Sequence, residues 1–248
     1  YRDAPIECFP VIGSTNDRAK ELAAAVSPHH ATVLAEAQTA GRGRRGREFY
    51  SPAAGGLYMT MLLRPEQAAA DAQFATVAAA VAVCRAIETL LPACAPGIKW
   101  VNDVYVGGRK ACGILAEAGE LRDGRVMSMV VGVGVNVSTA VFPPELREVA
   151  TALPGGAGLD RNRLAAEIMN AFFAMSDNNG SAAFREGVLA AYRERSIVLG
   201  REVTYDAHGA AITAKAVAIN DRGNLVVRLP DGTETALHSG EISVRLAE

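Results

Sequence analysis

Apolar and polar positions follow two rhythms along the chain, a helical one and an alternating one, and the switches between them mark its elements. Over 14–27, Leu22, Ala23 and Val26 share one helical face behind the polar start Ser14-Thr15-Asn16. Thr32-Val33-Leu34-Ala35 reads as a buried strand, and Gly56 to Leu63 as another, closed by Arg64-Pro65. Residues 72–91 are Ala-rich and apolar nearly all round, which predicts a helix buried on every side. Ile98 to Val137 reads as a meander of strands. Within it, Gly107-Gly108 supplies the positive φ of a two-residue turn between Val104-Tyr105-Val106 and Arg109 to Leu115. Val130 to Val137 continues as a fully buried strand. Asp160 can cap a helix over 161–175, and a second helix is predicted over about 182–194.

After Ser196 the pattern changes. Short β-rich runs (202–205, 211–219, 224–229, 233–237, 241–246) are separated by Asp221-Arg222-Gly223-Asn224 and Pro230-Asp231-Gly232. Five short strands in so few residues predict a small β-barrel. The expected organisation is an α+β domain over 1–195, a mixed or antiparallel sheet with flanking helices, followed by a small β-barrel domain over 196–248.

Composition narrows the function classes. The chain has 248 residues, half of them apolar, enough to bury a core without staples. A formal net charge of −2 argues against a general nucleic-acid binder, so a basic cluster must act locally. Cys8, Cys84, Cys94 and Cys112 have neither C-x-x-C spacing nor a metal pattern with the histidines, and read as reduced thiols of a cytoplasmic protein. His29, His30, His208 and His238 read as surface residues. No apolar run approaches the roughly 18–20 residues of a membrane span. The start Tyr1-Arg2-Asp3-Ala4 has no signal-peptide form, and the missing initiator Met leaves an upstream segment open.

Two clusters carry chemistry. Gly41-Arg42-Gly43-Arg44-Arg45-Gly46-Arg47 packs four guanidinium groups and three glycines into seven residues. It cannot enter a core, because four like charges would be desolvated together. It is either a disordered basic loop, a nucleic-acid contact or an anion-binding loop. In the last case glycines allow close backbone approach and arginines make forked bonds to phosphate or carboxylate. The second cluster is Lys99-Trp100-Val101-Asn102-Asp103 followed by Arg109 to Glu117. A two-residue turn puts Tyr105 opposite Lys110 and Asp103 opposite Cys112, with Asp103 and Lys110 diagonal on one face. That face is either solvated, with a weak surface ion pair, or lines a site.

These stretches resemble those of the biotin–protein ligases, also called biotin–[acetyl-CoA-carboxylase] ligases. Ser14-Thr15-Asn16 and Glu36-x-Gln38-x-x-Gly41 to Arg47 are similar to the S-T-N and G-R-G-R-x-G-R signatures. Lys99 to Asp103 resembles K-W-P-N-D, and Arg109-Lys110-x-x-Gly113-Ile114-Leu115-x-Glu117 resembles R-K-x-x-G-I-L-x-E. Gly132 to Val137 resembles the G-x-G-x-N strand, and Tyr192 to Ser196 the lead into the C-terminal domain. The resemblance covers essentially the whole chain. Lipoate and octanoate ligases share the implied fold and adenylate chemistry.

The resemblance implies a catalytic domain like those of class II aminoacyl-tRNA synthetases and an SH3-like C-terminal barrel. It implies ATP-dependent activation of biotin to biotinyl-5'-AMP and transfer to a lysine of a biotin carboxyl carrier domain, by a monomer or homodimer. Ser14, Thr15, Asn16, Gln38, Arg42, Gly43, Arg44, Lys110 and Gly113 would meet biotin. Arg45, Arg47, Lys99, Asn102 and Asn136 would serve the nucleotide, with magnesium arriving with ATP near Asp103. Lys110, Arg44 and Asp103 would be the catalytic groups. No tight protein metal site, no membrane and no DNA contact is expected, since no helix-turn-helix precedes Ser14; biotin-responsive repressors of the family carry one. Val101 stands where the family has proline, Phe49-Tyr50 where tryptophan is common, and Phe142 is the candidate cover for adenine.

Overall fold

A computed structural model describes residues 4–65, 67–68, 72–178, 180–207, 209–238 and 244–246. Its elements in chain order are β1 (Ile6–Phe9), α1 (Thr15–Ala24), β2 (Thr32–Ala35), β3 (Gly56–Leu63), β4 (Gln67–Ala68), α2 (Gln73–Leu90), β5 (Gly97–Lys99) and β6 (Asp103–Val106). There follow β7 (Arg109–Ala118), β8 (Leu121–Arg122), β9 (Arg125–Val126), β10 (Met129–Asn136), α3 (Arg161–Asp177) and α4 (Ala182–Glu194). The chain closes with β11 (Glu202–Ala207), β12 (Ala210–Ile219), β13 (Leu225–Arg228), β14 (Glu234–Leu237) and β15 (Val244–Leu246).

The main sheet runs β1-β2-β3-β10-β7-β6-β5, parallel only between β1 and β2. Strand alternation sorts β10 between two cores. Val131, Val133 and Val135 face the large core shared with α2, while Val130 joins a smaller one beneath α1 with Ala19, Val33 and Leu62. Gly132 and Gly134 lie on the α1 face, where a side chain would run into Asn16 and Phe49. That face, left low by glycines, is where the arginine-rich loop crosses.

Helix α2 is buried continuously from Phe74 to Cys84. By length and composition it could cross a membrane, but Arg85 and Glu88 interrupt its apolar run and it is the core helix of this fold. Asp160 caps α3 by accepting from the Asn162 and Arg163 amides, as expected. Helix α1 ends three residues earlier than predicted. Val26 therefore sits beyond it at φ 56 and is 78% exposed rather than on the buried face. The Arg64 guanidinium donates to the Ala23 and Ser27 carbonyls at this frayed end.

The C-terminal strands form a five-stranded antiparallel sheet, β14-β13-β12-β11-β15. The expected strand positions 241–243 lie outside the described residues. Its β12–β13 turn docks on the first part of the chain, where Trp100 Nε1 donates to the Gly223 carbonyl at 2.9 Å.

The histidines depart from the surface reading. His30 is buried against the Phe173 ring at 4.0 Å, with His29 and His30 both directed at Asp177 Oδ1. The Arg64 amide donates to His29 Nδ1, which puts the proton of the neutral ring on Nε2, aimed at Asp177. These groups could surround a cation by distance alone, but that tautomer makes His29 a hydrogen-bond donor there. His238 is exposed, as read, and His208 lies outside the described residues.

Candidate functional site

Two cavities meet beneath the arginine-rich loop. The first is lined by Ser14, Thr15, Asn16, Gln38, Arg42, Gly43, Arg44, Lys110 and Gly113, so all nine residues expected to meet biotin share one wall. Its floor comes from β7 and β10, where Gly113 and Gly134 are cross-strand partners. A Cβ on Gly134 would stand 2.5 Å from the Phe49 ring and one on Gly113 3.0 Å from it. Phe49 thus rests on a floor of bare backbone and leaves a cavity of only about 40 Å³. Sequence reasoning missed this ring as a wall; the signal was an aromatic directly after the arginine loop.

Polar groups under this cavity form one connected chain. Gln38 Nε2 donates to Ser51 Oγ, while its Oε1 accepts from the Thr15 amide and hydroxyl at 2.9 and 3.0 Å. The Thr60 hydroxyl lies 2.8 Å from Thr15 Oγ1 and 2.7 Å from Asn16 Oδ1. Asn16 Nδ2 then donates to Glu117 Oε2 at 2.8 Å. Burial raises the Glu117 pKa, but the bonds from Asn16 and Lys20 and the charge of Arg42 outweigh it, holding the carboxyl below its ordinary value. Ser14 Oγ is buried without a hydrogen-bond partner among the described residues, a group that a polar ligand would satisfy.

The second cavity, about 550 Å³, is lined by Arg47, Lys99, Asn102, Asp103 and Asn136 among others, with Tyr50, Tyr105 and Phe142 as aromatic walls. Phe142, the candidate adenine cover, lines this cavity 6.4 Å from the Tyr50 ring. Arg45 lies outside both walls; it is exposed, at φ 58. Val101, the departure from proline, follows a cis peptide bond and is buried, its carbonyl accepting from the Tyr192 hydroxyl.

Arg44, Phe49, Asn102 and Lys110 line both cavities and form the junction. Arg44 Nη1 donates to Asn102 Oδ1 at 3.0 Å, and Asn102 Nδ2 donates to the Ile114 carbonyl. Burial lowers the Arg44 pKa against the opposing charge of Asp103, yet a guanidinium stays protonated. Lys110 Nζ lies 2.7 Å from Asp103 Oδ1, an ion pair that engages this buried oxygen.

The hairpin carrying this pair differs from the expected register. Tyr105 does face Lys110, but Ala111 is bulged, so Cys112 pairs with Val104 and Asp103 with Gly113. The extra residue sends Cys112 into the core, where burial pushes its thiol pKa up, and keeps Lys110 and Gly113 on the site face. The bulge therefore preserves the contact that the simple turn predicted.

Residues 8–136 match the biotin/lipoate A/B protein ligase family, and 198–245 the biotin protein ligase C-terminal domain. The chain is 36% identical over 231 residues to the biotin–[acetyl-CoA-carboxylase] ligase of Paracoccus denitrificans, covering 89% of this chain and 93% of that one. It is 31% identical to the bifunctional ligase/repressor BirA of Bacillus spizizenii, over 94% of this chain and 72% of the relative. A solved biotin protein ligase from Aquifex aeolicus, in complex with biotin and ATP, superposes with a TM-score of 0.84 at 27% identity, covering 98% of this chain and 99% of that one. The chain belongs to the biotin/lipoate A/B protein ligase family.

Proposed function

We propose that the protein is an ATP-dependent biotin–protein ligase, which activates biotin as biotinyl-5'-AMP and transfers it to a lysine of a carboxylase's biotin carrier domain. The observation that carries this reading is the junction, since Arg44 and Lys110 line both a glycine-floored polar cavity and a wide cationic one. An acid held in the first and a polyphosphate held in the second meet at two cations.

In the first step a biotin carboxylate oxygen bonds the α-phosphorus, and the α–β bridging bond breaks to release pyrophosphate. Both reactants are anions, so the groups at the junction must neutralise their approach and the charge on the transition state. Arg44 and Lys110 take this role, with Arg47 and Lys99 on the wall of the second cavity. Ser14, Thr15, Asn16, Gln38, Arg42, Gly43 and Gly113 hold biotin; Asn102 and Asn136 serve the nucleotide. Arg45, outside both walls, reaches the phosphates only if the loop shifts.

Magnesium brought by ATP fits the donor set, since it commonly binds one or two carboxylates plus substrate phosphates. Asp103 is a carboxylate on that wall and would contribute to holding the ion, its Oδ1 being shared with Lys110 Nζ at 2.7 Å. Bound there, the ion would neutralise phosphate charge.

In the second step the carrier lysine attacks the acyl carbon and the bond to AMP breaks. With a reference pKa of about 10.4, only about one lysine in a thousand is neutral at pH 7.4. Asp103, beside the junction, orients that amine or takes its proton. We assign the protein to the cytoplasm, where thiols stay reduced, because all four cysteines are free.

The test is incubation with ATP, biotin and a purified biotin carboxyl carrier domain. Streptavidin should capture the carrier only when all three are present. A carrier left unmodified while lipoate is attached to a lipoyl domain would overturn the reading.

A further inference from the structure

Glu117 stands at the far end of the polar chain and lines neither cavity. Three donors converge on its carboxylate: Asn16 Nδ2 at 2.8 Å, Lys20 Nζ at 2.7 Å and Arg42 Nη2 at 3.4 Å. The other end of the Arg42 fork donates to Asp17 Oδ1 at 2.7 Å, so two carboxylates grip the first arginine of the loop. An ionised carboxylate accepts only, whereas the isosteric glutamine carries an NH₂ that would confront one of these donors.

The Asn16 amide is equally constrained. Its Oδ1 faces the Thr60 hydroxyl and packs over Gly132, where any Cβ would overlap it. An amide fits such a slot either way round, and a hydroxyl can turn to donate or accept. Two acceptor-only groups select the orientation by meeting Nδ2 and not Oδ1, the Leu115 carbonyl at 3.4 Å and, closer and charged, the Glu117 carboxylate at 2.8 Å.

We propose that Glu117 is a positioning residue for substrate binding: it fixes the Asn16 amide beneath the first cavity and anchors Arg42, holding the arginine loop over the ligand. This rests on the biotin reading of that cavity. Glu117 acts through Asn16 and Arg42 and is not among the residues lining the junction, so its loss weakens acid binding more than it slows the chemistry.

The experiment is steady-state biotin-dependent pyrophosphate exchange with the wild type, Glu117→Gln and Glu117→Asp, together with hydrogen exchange of residues 41–47 with and without biotin. Glu117→Gln should raise KM for biotin about tenfold, the scale of a charge-assisted hydrogen bond, with kcat and KM for ATP within about twofold. It should also lose biotin-induced protection of 41–47. Glu117→Asp keeps the acceptor-only group and should fall between it and the wild type. If Glu117→Gln does not fold, Glu117→Asp decides, with a raised KM for biotin at preserved kcat supporting the role.

An unchanged KM for biotin overturns the inference. So does a parallel fall in Tm, kcat and affinity for both substrates, equal in the two variants, which marks a purely structural strut. A wild type without biotin-dependent exchange overturns the functional reading and this inference with it. An active wild type with unaffected variants overturns this inference alone.

Discussion

The two cavities beneath the arginine loop differ in size and in the charge of their walls. In the first, Gln38, Thr15, Thr60, Asn16 and Glu117 are tied to one another before any ligand arrives, above a floor of glycine backbone. The second, about 550 Å³, is lined by the cations Arg44, Arg47, Lys99 and Lys110 with aromatic neighbours. A preorganised network rejects a ligand that leaves its buried groups unpaired, so the first cavity supplies discrimination. A broad cationic wall accepts polyanions through charge, so the second supplies affinity. The first is also far smaller, about 40 Å³, with Phe49 as one of its walls.

The largest effect belongs to the junction the cavities share. Lys110→Ala and Arg44→Ala should each lower adenylation by about 10²–10³, the usual cost of losing one well-placed donor to a transition state. Near wild-type adenylation in both would separate the cavities from the chemistry. Next comes the floor of the first cavity. Gly134→Ala should raise KM for biotin roughly tenfold with KM for ATP unchanged, because its methyl would meet the Phe49 ring. Adding Phe49→Ala should relieve much of this; equal effects on both substrates would show that the cavities are not independent.

A smaller effect tests the second cavity. Phe142→Ala should raise KM for ATP severalfold, the loss of a base-stacking surface, and leave KM for biotin alone. No change would move the adenine elsewhere on the wall. Smallest is a control remote from both. Burial, then the charge of His29, lowers the His30 pKa, with Asp177 opposing. The unfolded chain therefore takes up a proton near pH 6.5 that the folded one resists. Stability from this site is complete above that pH and is lost as pH falls through the folded pKa. Urea midpoints across pH 5–8 should show this slope and His30→Gln should flatten it, with both KM values unmoved.

Much of this was legible in the sequence because it is local. Turn residues, a cap at Asp160 and unbroken apolar runs set β3, β10, α2 and α3 close to their expected places. The residues expected around biotin came from three separate stretches and do share one wall. What stayed hidden depends on pairings across the fold. The Ala111 bulge is a register choice that a turn rule does not encode, though it preserved the Asp103–Lys110 contact. Phe49 lies on Gly134 only because β10 and the loop after the arginines are brought together. Glu117 was quoted within a motif without a role, since its partners Asn16, Lys20 and Arg42 are more than seventy positions away. His30 was read as exposed because its cover, Phe173, comes from α3.

The central claim is that the preorganised cavity selects biotin and delivers its carboxylate to ATP at the junction. The most direct test is pyrophosphate exchange into ATP, run separately with biotin, lipoate and octanoate. The account predicts exchange with biotin, abolished by Lys110→Ala, and little with the other two acids; exchange supported by lipoate or octanoate but not biotin would contradict it.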